Sequence, residues 1–523
     1  MTPTAEQLTI IEAVRSTEDS LLITALAGAA KTTTLELIAK ALPSTPILSL
    51  AFNKRIADEM SKRLPPNVVA RTMNSVGHRV WSASIGRRLI VDTSKTYTLI
   101  KDKVDTFRGQ EKKEAYEIFT EVKKMVSSAK LNGYMPHTGL TENARRLIEA
   151  DDFFDSFEEE PTGLHIDLLN SVLITSIKMG YDGKIDFDDQ VYLPTLFGGV
   201  DWPKFPLVLV DEAQDLSPLN HAMLDKLVTK RIIAVGDEHQ SIYAFRGADT
   251  YSMRKLESKF SMSRLPLTIS FRCPREVVRL ARRHAPDMQW PDWAEEGEVR
   301  SLAEWSAEDI PDNSAVICRN NAPLFRLAFL LLANGRGVKL VGTDLGPGLV
   351  KILKKLGPES MSKEATNAAI DRWQEARLKK SRAVAAIEDK ANCLRVFASF
   401  GETLGGAIAY AEHLFATDGP IQLLSGHKAK GLEWDVVFHL DPWRVPSKWA
   451  VTEEDLQQEA NVEYVITTRA KRQLNFINLE DFMDNEEAEA KKTTRLSEQE
   501  GQPQLDHLPP SRGADAVPVP DGG

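Results

Sequence analysis

Continuous apolar runs of strand length recur along the chain, each ending in small or polar residues and passing into helical patterning. Leu21 to Ala25 leads into small residues, a Lys31-Thr32 pair and helical sequence from Leu35 to Lys40. Ile47 to Phe52 repeats the form, with Asn53-Lys54 opening the next helix. Phe205 to Val210 ends at Asp211-Glu212, and Arg231 to Val235 ends at Gly236-Asp237. This repeated order predicts a parallel, doubly wound α/β sheet with ligands at the strand C-termini. Ahead of it, Leu8, Ile11 and Val14 predict an amphipathic helix capped by Thr4 and Glu6, with Gln7 solvated unless a nucleotide lies nearby. From about Val76 to Leu196 the pattern is mainly helical. Strand runs at 265–270, 315–318, 338–341, 421–424, 436–440 and 474–477 predict a second α/β core, interrupted from about 344 to 417 by helical sequence around Trp373. The expected organisation is a first core from 1–75 and 197–262 with a helical insert at 76–196. A second core takes 263–343 and 418–482 with a short insert at 344–417, and an acidic tail follows at 483–523.

Composition narrows the class without choosing a function. A chain of 523 residues is too long for one hydrophobic core. Cys273, Cys318 and Cys393 lie far apart, so neither disulfides nor a thiolate metal site is expected. No apolar run reaches membrane-spanning length and no leader pattern opens the chain, which predicts a cytoplasmic protein. The net charge of −10 does not exclude nucleic acid, because binding depends on where charge sits rather than on its sum. The end of the chain is acidic, then rich in Pro, Gly and Asp, and is expected to be disordered. Lys101, Lys103, Lys112, Lys113, Lys123, Lys124 and Lys130 form either a solvated face or a phosphate-contacting one.

Candidate chemistry gathers at the strand ends. Residues 25–33 have the order of a phosphate loop, in which backbone N–H groups wrap phosphates, Lys31 neutralises them and Thr32 ligates Mg²⁺. Ala25 and Ala30 stand where that pattern has glycine, and only Gly28 remains inside the loop. A buried strand followed by a helix is the alternative for this stretch alone. The alanines at 25, 27, 29 and 30 predict a loop adapted to small side chains, with Ala30 at negative φ and its methyl harmless. Asp211 and Glu212 are adjacent carboxylates ending a buried strand, a costly pair unless a cation or a reaction uses them: Asp211 would hold Mg²⁺ and Glu212 would orient and deprotonate a water. Asp186, Asp188 and Asp189 have the look of a metal cluster, but strand alternation puts Asp186 and Asp188 on one face and Asp189 on the other, which argues against one. Tyr243 and Phe245, between Gln240 and Arg246, fit a base-stacking platform or two core aromatics.

In this order the motifs resemble one family, the superfamily 1 DNA helicases related to UvrD, PcrA and Rep, over roughly residues 4 to 480. Thr4 to Gln7 resembles its adenine-reading motif, with Gln7 on the base. Ala27 to Thr33 (Ala27, Gly28, Ala29, Ala30, Lys31, Thr32, Thr33) resembles its phosphate loop, and Leu50 to Lys54, with Phe52 and Asn53, its motif Ia. Val210 to Asp215 and Val235 to Ala248 match two further motifs. Ile269 to Arg272 resembles the motif whose aromatic stacks on adenine, here Phe271, and whose arginine reaches the γ-phosphate, here Arg272. Gly426 to Asp435 resembles the motif with Gly431 and Glu433 near the nucleotide and His427 facing DNA. Tyr464 to Lys471 resembles the motif carrying an arginine finger, here Arg469. Asn74 stands where the family has a DNA-contacting histidine, and the second insert is shorter than in UvrD. The resemblance implies two RecA-like domains with ATP and Mg²⁺ between them, catalysis by Lys31, Glu212, Gln240, Arg272 and Arg469, and 3′–5′ movement on single-stranded and partially duplex DNA. DNA contacts fall to Phe52, Asn53, Asn74, Tyr243, Phe245, Arg246 and His427. Two rival classes stay open: an ATP-gated single-strand-binding loader, and the motor of a helicase–nuclease assembly. No nuclease motif is present in the sequence, so a nuclease, or a replication or repair factor, would be a separate partner.

Overall fold

The structure, a computed structural model, describes residues 2–142, 144–157, 160–198, 202–242, 251–342, 345–379 and 383–483. The strands are β1 (Leu21–Ala25), β2 (Ile47–Ala51), β3 (Val68–Thr72), β4 (Ile90–Val91), β5 (Lys184–Ile185), β6 (Phe205–Val210), β7 (Val228–Gly236) and β8 (Ser263–Leu267). They continue with β9 (Glu298–Leu302), β10 (Ala315–Cys318), β11 (Val338–Leu340), β12 (Ile421–Ser425), β13 (Trp434–Leu440) and β14 (Ala470–Ile477). Among the described residues they form two six-stranded parallel sheets, ordered β3-β2-β6-β7-β1-β8 and β11-β12-β10-β13-β14-β9, and a two-stranded β4-β5 pair. Parallel strands need crossover connections, which puts helices on both faces and explains why β1, β2 and β10 read as near-continuous apolar runs.

One boundary differs from the sequence expectation. The strand signal at 265–270 was grouped with the second core, yet β8 pairs in register with β1, Leu21 opposite Ser263 and Ala25 opposite Leu267, on the edge of the first sheet. Arg272 is therefore delivered from the first sheet rather than the second. The chain crosses to the second sheet just after it, because Cys273, Val277 and Val278 pack in one apolar cluster with Ile317, Val437, Val465 and Leu474. Ala27 and Ile242 of the first domain enter the same cluster, so the two domains share apolar core where they meet.

The helical insert is anchored by buried charge. Asp186, Asp188 and Asp189 do not alternate on a strand: they lie in the turn after β5 and at the start of the helix Asp189–Leu196. Lys95 Nζ lies 2.6 Å from Asp189 Oδ2, and Lys130 Nζ lies 2.6 Å from Asp186 Oδ2 and 2.8 Å from Asp189 Oδ1. Asp188 accepts a hydrogen bond from Ser127 Oγ. No metal-ligand cluster exists among the described residues, and two lysines occupy the place a cation would take here. Lys130 is thus removed from the lysine-rich surface, of which Lys101, Lys113, Lys123 and Lys124 remain exposed. Burial raises the Asp186 carboxyl, but Lys130 outweighs it and holds the group down at about 2. The three cysteines are free and buried. No described helix is long and apolar enough to cross a membrane. The acidic tail from 484 onward lies outside the described residues.

Lys130→Ala leaves two buried carboxylates undercompensated, so it should destabilise the insert by about 3–5 kcal/mol. Urea denaturation of the full chain checks this, and adding Asp186→Asn should recover part of the loss. A midpoint unchanged by Lys130→Ala would contradict the ionic anchoring.

Candidate active site

The phosphate-loop residues form a tight turn between β1 and the helix Lys31–Ala41. Gly28 has φ 76°, and a Cβ there would sit 2.6 Å from Ser270 Oγ and 2.7 Å from Arg272 Cβ, so conformation and space both demand glycine. Ala30 corrects the expectation of negative φ: its φ is 55°, in the left-handed region that costs an L-residue about 1–2 kcal/mol. The methyl is therefore strained rather than harmless. Lys31, Thr32 and Thr33 make the first turn of the helix, where unpaired N–H groups and the helix dipole favour an anion. The loop is held from three sides: Leu26 N donates to Leu267 O at 2.9 Å, Phe271 N to Gly28 O at 2.9 Å, and Ala27 N to Tyr464 Oη at 2.9 Å.

Gln7 is buried, not solvated. Its side chain closes the capping box by accepting from Thr4 N at 3.0 Å and donates to Thr34 Oγ1 at 3.0 Å. Glu6 does not cap the helix; its carboxylate accepts from Thr268 N (2.9 Å) and Oγ1 (2.6 Å), tying the first helix to the segment that carries Phe271 and Arg272.

Asp211 and Glu212 stand at the end of β6, beside the Lys31 ammonium. Lys31 Nζ is 3.4 Å from Glu212 Oε1. Glu212 has φ 51°, a second strained residue in the same site. Burial, then repulsion from Glu212, pushes the Asp211 carboxyl up to about 7 against the pull of Lys31. Burial also opposes ionisation of Glu212, yet Lys31, followed by Lys430, holds it below the usual range. For Lys31, burial lowers the pKa, but Glu212, Asp237 and Asp211 together raise it. A buried carboxylate with so little compensation is an oxygen donor of the kind a hard divalent cation takes.

Across the seam, Arg469 is buried, with Nε donating to Val465 O at 2.9 Å and Nη2 to Gln240 Oε1 at 3.4 Å. Burial, then the charge of Arg272, lowers it to about 10, leaving it cationic at neutral pH. Gln240 Nε2 donates to Asp237 Oδ2 at 2.5 Å. Arg272 Nε lies 2.6 Å from Glu433 Oε2, so these two residues are paired with one another. Gly431, at φ 81°, makes the turn before Glu433.

Three further residues inside the motif strings take part in the site. Tyr464 binds the loop backbone and lies 3.5 Å from Asp237 Oδ2. Lys430 Nζ lies 2.6 Å from Asp215 Oδ1 and donates to Gln240 O at 2.5 Å, joining the domains. Gln214 donates to Glu212 Oε2 at 2.6 Å and accepts from Asp237 N at 3.0 Å. The signal was their place inside the motif strings; apart from Glu212, which is two residues from Gln214, their partners lie more than 20 residues away, beyond any local pattern.

Phe52, Asn53 and Asn74 follow strands of the first sheet, and His427 follows a strand of the second. Phe52 is exposed after β2, and Asn53 caps the helix Lys54–Arg63 by accepting from Ile56 N at 2.9 Å. Asn74 follows β3 and donates to Phe187 O at 2.9 Å. His427 lies on the short helix Gly426–Ala429 after β12. Tyr243, Phe245 and Arg246 lie outside the described residues.

Comparison with known proteins agrees with this arrangement. The model of the UvrD/REP helicase N-terminal domain matches residues 6–261, and that of the UvrD-like helicase C-terminal domain matches residues 401–481. F-box DNA helicase protein 1 of Schizosaccharomyces pombe is 24% identical over 519 residues, covering 90% of this chain and 57% of the relative. F-box DNA helicase 1 of Gallus gallus is 25% identical, covering 86% and 46%. The ATP-dependent DNA helicase PcrA of Staphylococcus epidermidis is 26% identical over 305 residues, covering 52% and 38%. The chain thus spans about half the length, or less, of these relatives.

Two outcomes follow from the strained and undercompensated residues. Ala30→Gly relieves the left-handed alanine, and after the unfolded-state entropy of glycine (about 0.4–1 kcal/mol) it should stabilise the protein by roughly 0.5–1 kcal/mol, read as a higher Tm. A lower Tm would mean the alanine is unstrained. Asp211 has its folded pKa raised from 3.8 to about 7, so its stabilising contribution is present below 3.8 and lost as pH rises through 7. Asp211→Asn should therefore raise the Tm of the nucleotide-free protein at pH 8, with the gain shrinking toward pH 4. A gain independent of pH would exclude the ionisation of Asp211 as its source.

Proposed function

This chain belongs to the UvrD/PcrA/Rep-like superfamily 1 helicases, and we propose that it is an ATP-dependent DNA helicase moving 3′–5′ on single-stranded DNA. The observation that carries the reading is the meeting of Lys31, Asp211 and Glu212 with Arg272 and Arg469 at the seam between the sheets. In this reading Lys31 and the loop N–H groups bind the β- and γ-phosphates, and Glu212 orients the attacking water and takes its proton. Arg272 and Arg469 stabilise charge on the transferred phosphoryl group. Thr32 and Asp211 would hold Mg²⁺, which supplies charge neutralisation at the phosphates.

The sheet order supports a division of labour. Nucleotide residues follow β6, β7, β1 and β8, which are adjacent, while Phe52, Asn53 and Asn74 follow β2 and β3 at the other end of the same edge. DNA held along Phe52, Asn53, Asn74 and His427 would therefore run beside the nucleotide rather than through it. Closure of the seam depends on Lys430 and Arg469 reaching the first domain, so changes in phosphate charge there couple to domain opening.

Purified protein should show Mg²⁺-dependent ATPase activity stimulated by single-stranded DNA, and should displace a strand from a partial duplex bearing a 3′ tail. Lys31→Ala and Glu212→Gln should each lower the ATPase rate by at least a hundredfold. Stimulated ATPase activity without strand displacement would instead favour a single-strand-binding loader. Wild-type hydrolysis by Lys31→Ala would overturn the phosphate-loop assignment.

A further inference from the structure

Trp293 is an exposed aromatic that no motif accounts for. Its relative exposure is 67%, and its ring centroid lies 6.2 Å from that of Phe271 at an interplanar angle of 32°. A lone exposed tryptophan needs no explanation. This one is held in place by its backbone. Arg275 N donates to Glu295 O at 3.0 Å, Glu276 N to Glu296 O at 3.0 Å, and Arg275 Nη2 to Asp292 O at 2.7 Å. Ala294 N closes the turn on Pro291 O at 2.9 Å. Residues 292–296 are therefore clamped to 275–276, four residues beyond Phe271, and Phe271 is itself fixed to the phosphate loop through Gly28. Two independent backbone anchors thus set one ring beside the other at the rim of the loop.

A base held between two aromatic faces needs about 3.5 Å on each side, roughly 7 Å in all. The observed 6.2 Å is within 1 Å of that, and the exposed indole has room to move outward. We propose that Trp293 is the second aromatic wall of the nucleobase pocket, facing Phe271, so that the substrate's purine is sandwiched rather than stacked on one side. This rests on the reading that Phe271 faces the base. The chemical class recognised is a purine nucleoside di- or triphosphate, with the larger purine face favoured over a pyrimidine.

The test compares ADP with inorganic tripolyphosphate, which presents phosphates and no base, by calorimetry on the full-length chain. Trp293→Ala should weaken ADP about tenfold, equivalent to 1.4 kcal/mol, and leave tripolyphosphate affinity within twofold. Trp293→Phe should recover most of the ADP affinity. Equal losses for both ligands would mean that the substitution only damages the loop, and the proposal would fall. If Phe271→Ala weakens ADP selectively and Trp293→Ala does not, the pocket has one wall and Trp293 is excluded from it. If neither variant separates ADP from tripolyphosphate, the base lies elsewhere, and the Phe271 reading falls with the proposal. A wild-type protein that binds neither ligand would overturn the nucleotide site itself.

Discussion

A pair of carboxylates ends a buried strand at the seam of two domains, and their compensation is assembled from distant parts of the chain. Asp211 is nearly dry and reluctant to ionise, while Glu212 stays charged because Lys31 and Lys430 face it. One of those cations opens the helix after β1, and the other comes from the second sheet. Desolvated charge is stable only when partnered. The active-site electrostatics therefore bind the domains together, and the same forces would respond to phosphate charge placed between them.

Backbone strain sits at the same point. Ala30 and Glu212, neither of them glycine, adopt left-handed conformations at the ends of β1 and β6, with β7 between them. Such strain persists only where the surroundings impose it. Here the loop is gripped by Leu267, Phe271 and Tyr464 at once, and the β6 turn is gripped by Gln214. Ala27 also packs with Ile242 into the second domain's apolar cluster, and Tyr464 comes from that domain, so part of the loop's hold depends on the closed pair.

The helical insert uses charge differently. Lys95 and Lys130 are buried with Asp186 and Asp189 far from the site, in a closed set that leaves no place for a catalytic cation. Its contribution is positional: it joins the helices starting at Lys95, Phe119 and Asp189, and the last of these abuts Gly77 on the helix that carries Asn74. A Cβ at Gly77 would sit 2.0 Å from Gln190 O, so the two helices touch backbone to backbone. The insert is thereby seated against the edge proposed to carry DNA.

The buried strands, the phosphate-loop order and the carboxylates after β6 were legible along the chain, because each is written in a few consecutive residues through apolar runs, glycine and charge; the edge strands β3 and β9, partly exposed and without such a run, were not. The capping of the first helix was half legible: Thr4 acts as read, but Gln7, not Glu6, completes the box, since both residue types satisfy the same local rule. Pairing was not legible. Nothing in the run 263–267 says that it lies beside β1, since any apolar strand can take any parallel neighbour, and its placement moved Arg272 to the first sheet. The sign of φ at Ala30 was misread because a run of small residues reports available space, whereas the dihedral is set by hydrogen bonds arriving from residues 267, 271 and 464. The roles of Tyr464 and Lys430 became visible only in the folded molecule, for contacts between residues roughly two hundred positions apart or more leave no periodic trace in either partner, and Trp293 meets Phe271 through a turn that no element pattern announces.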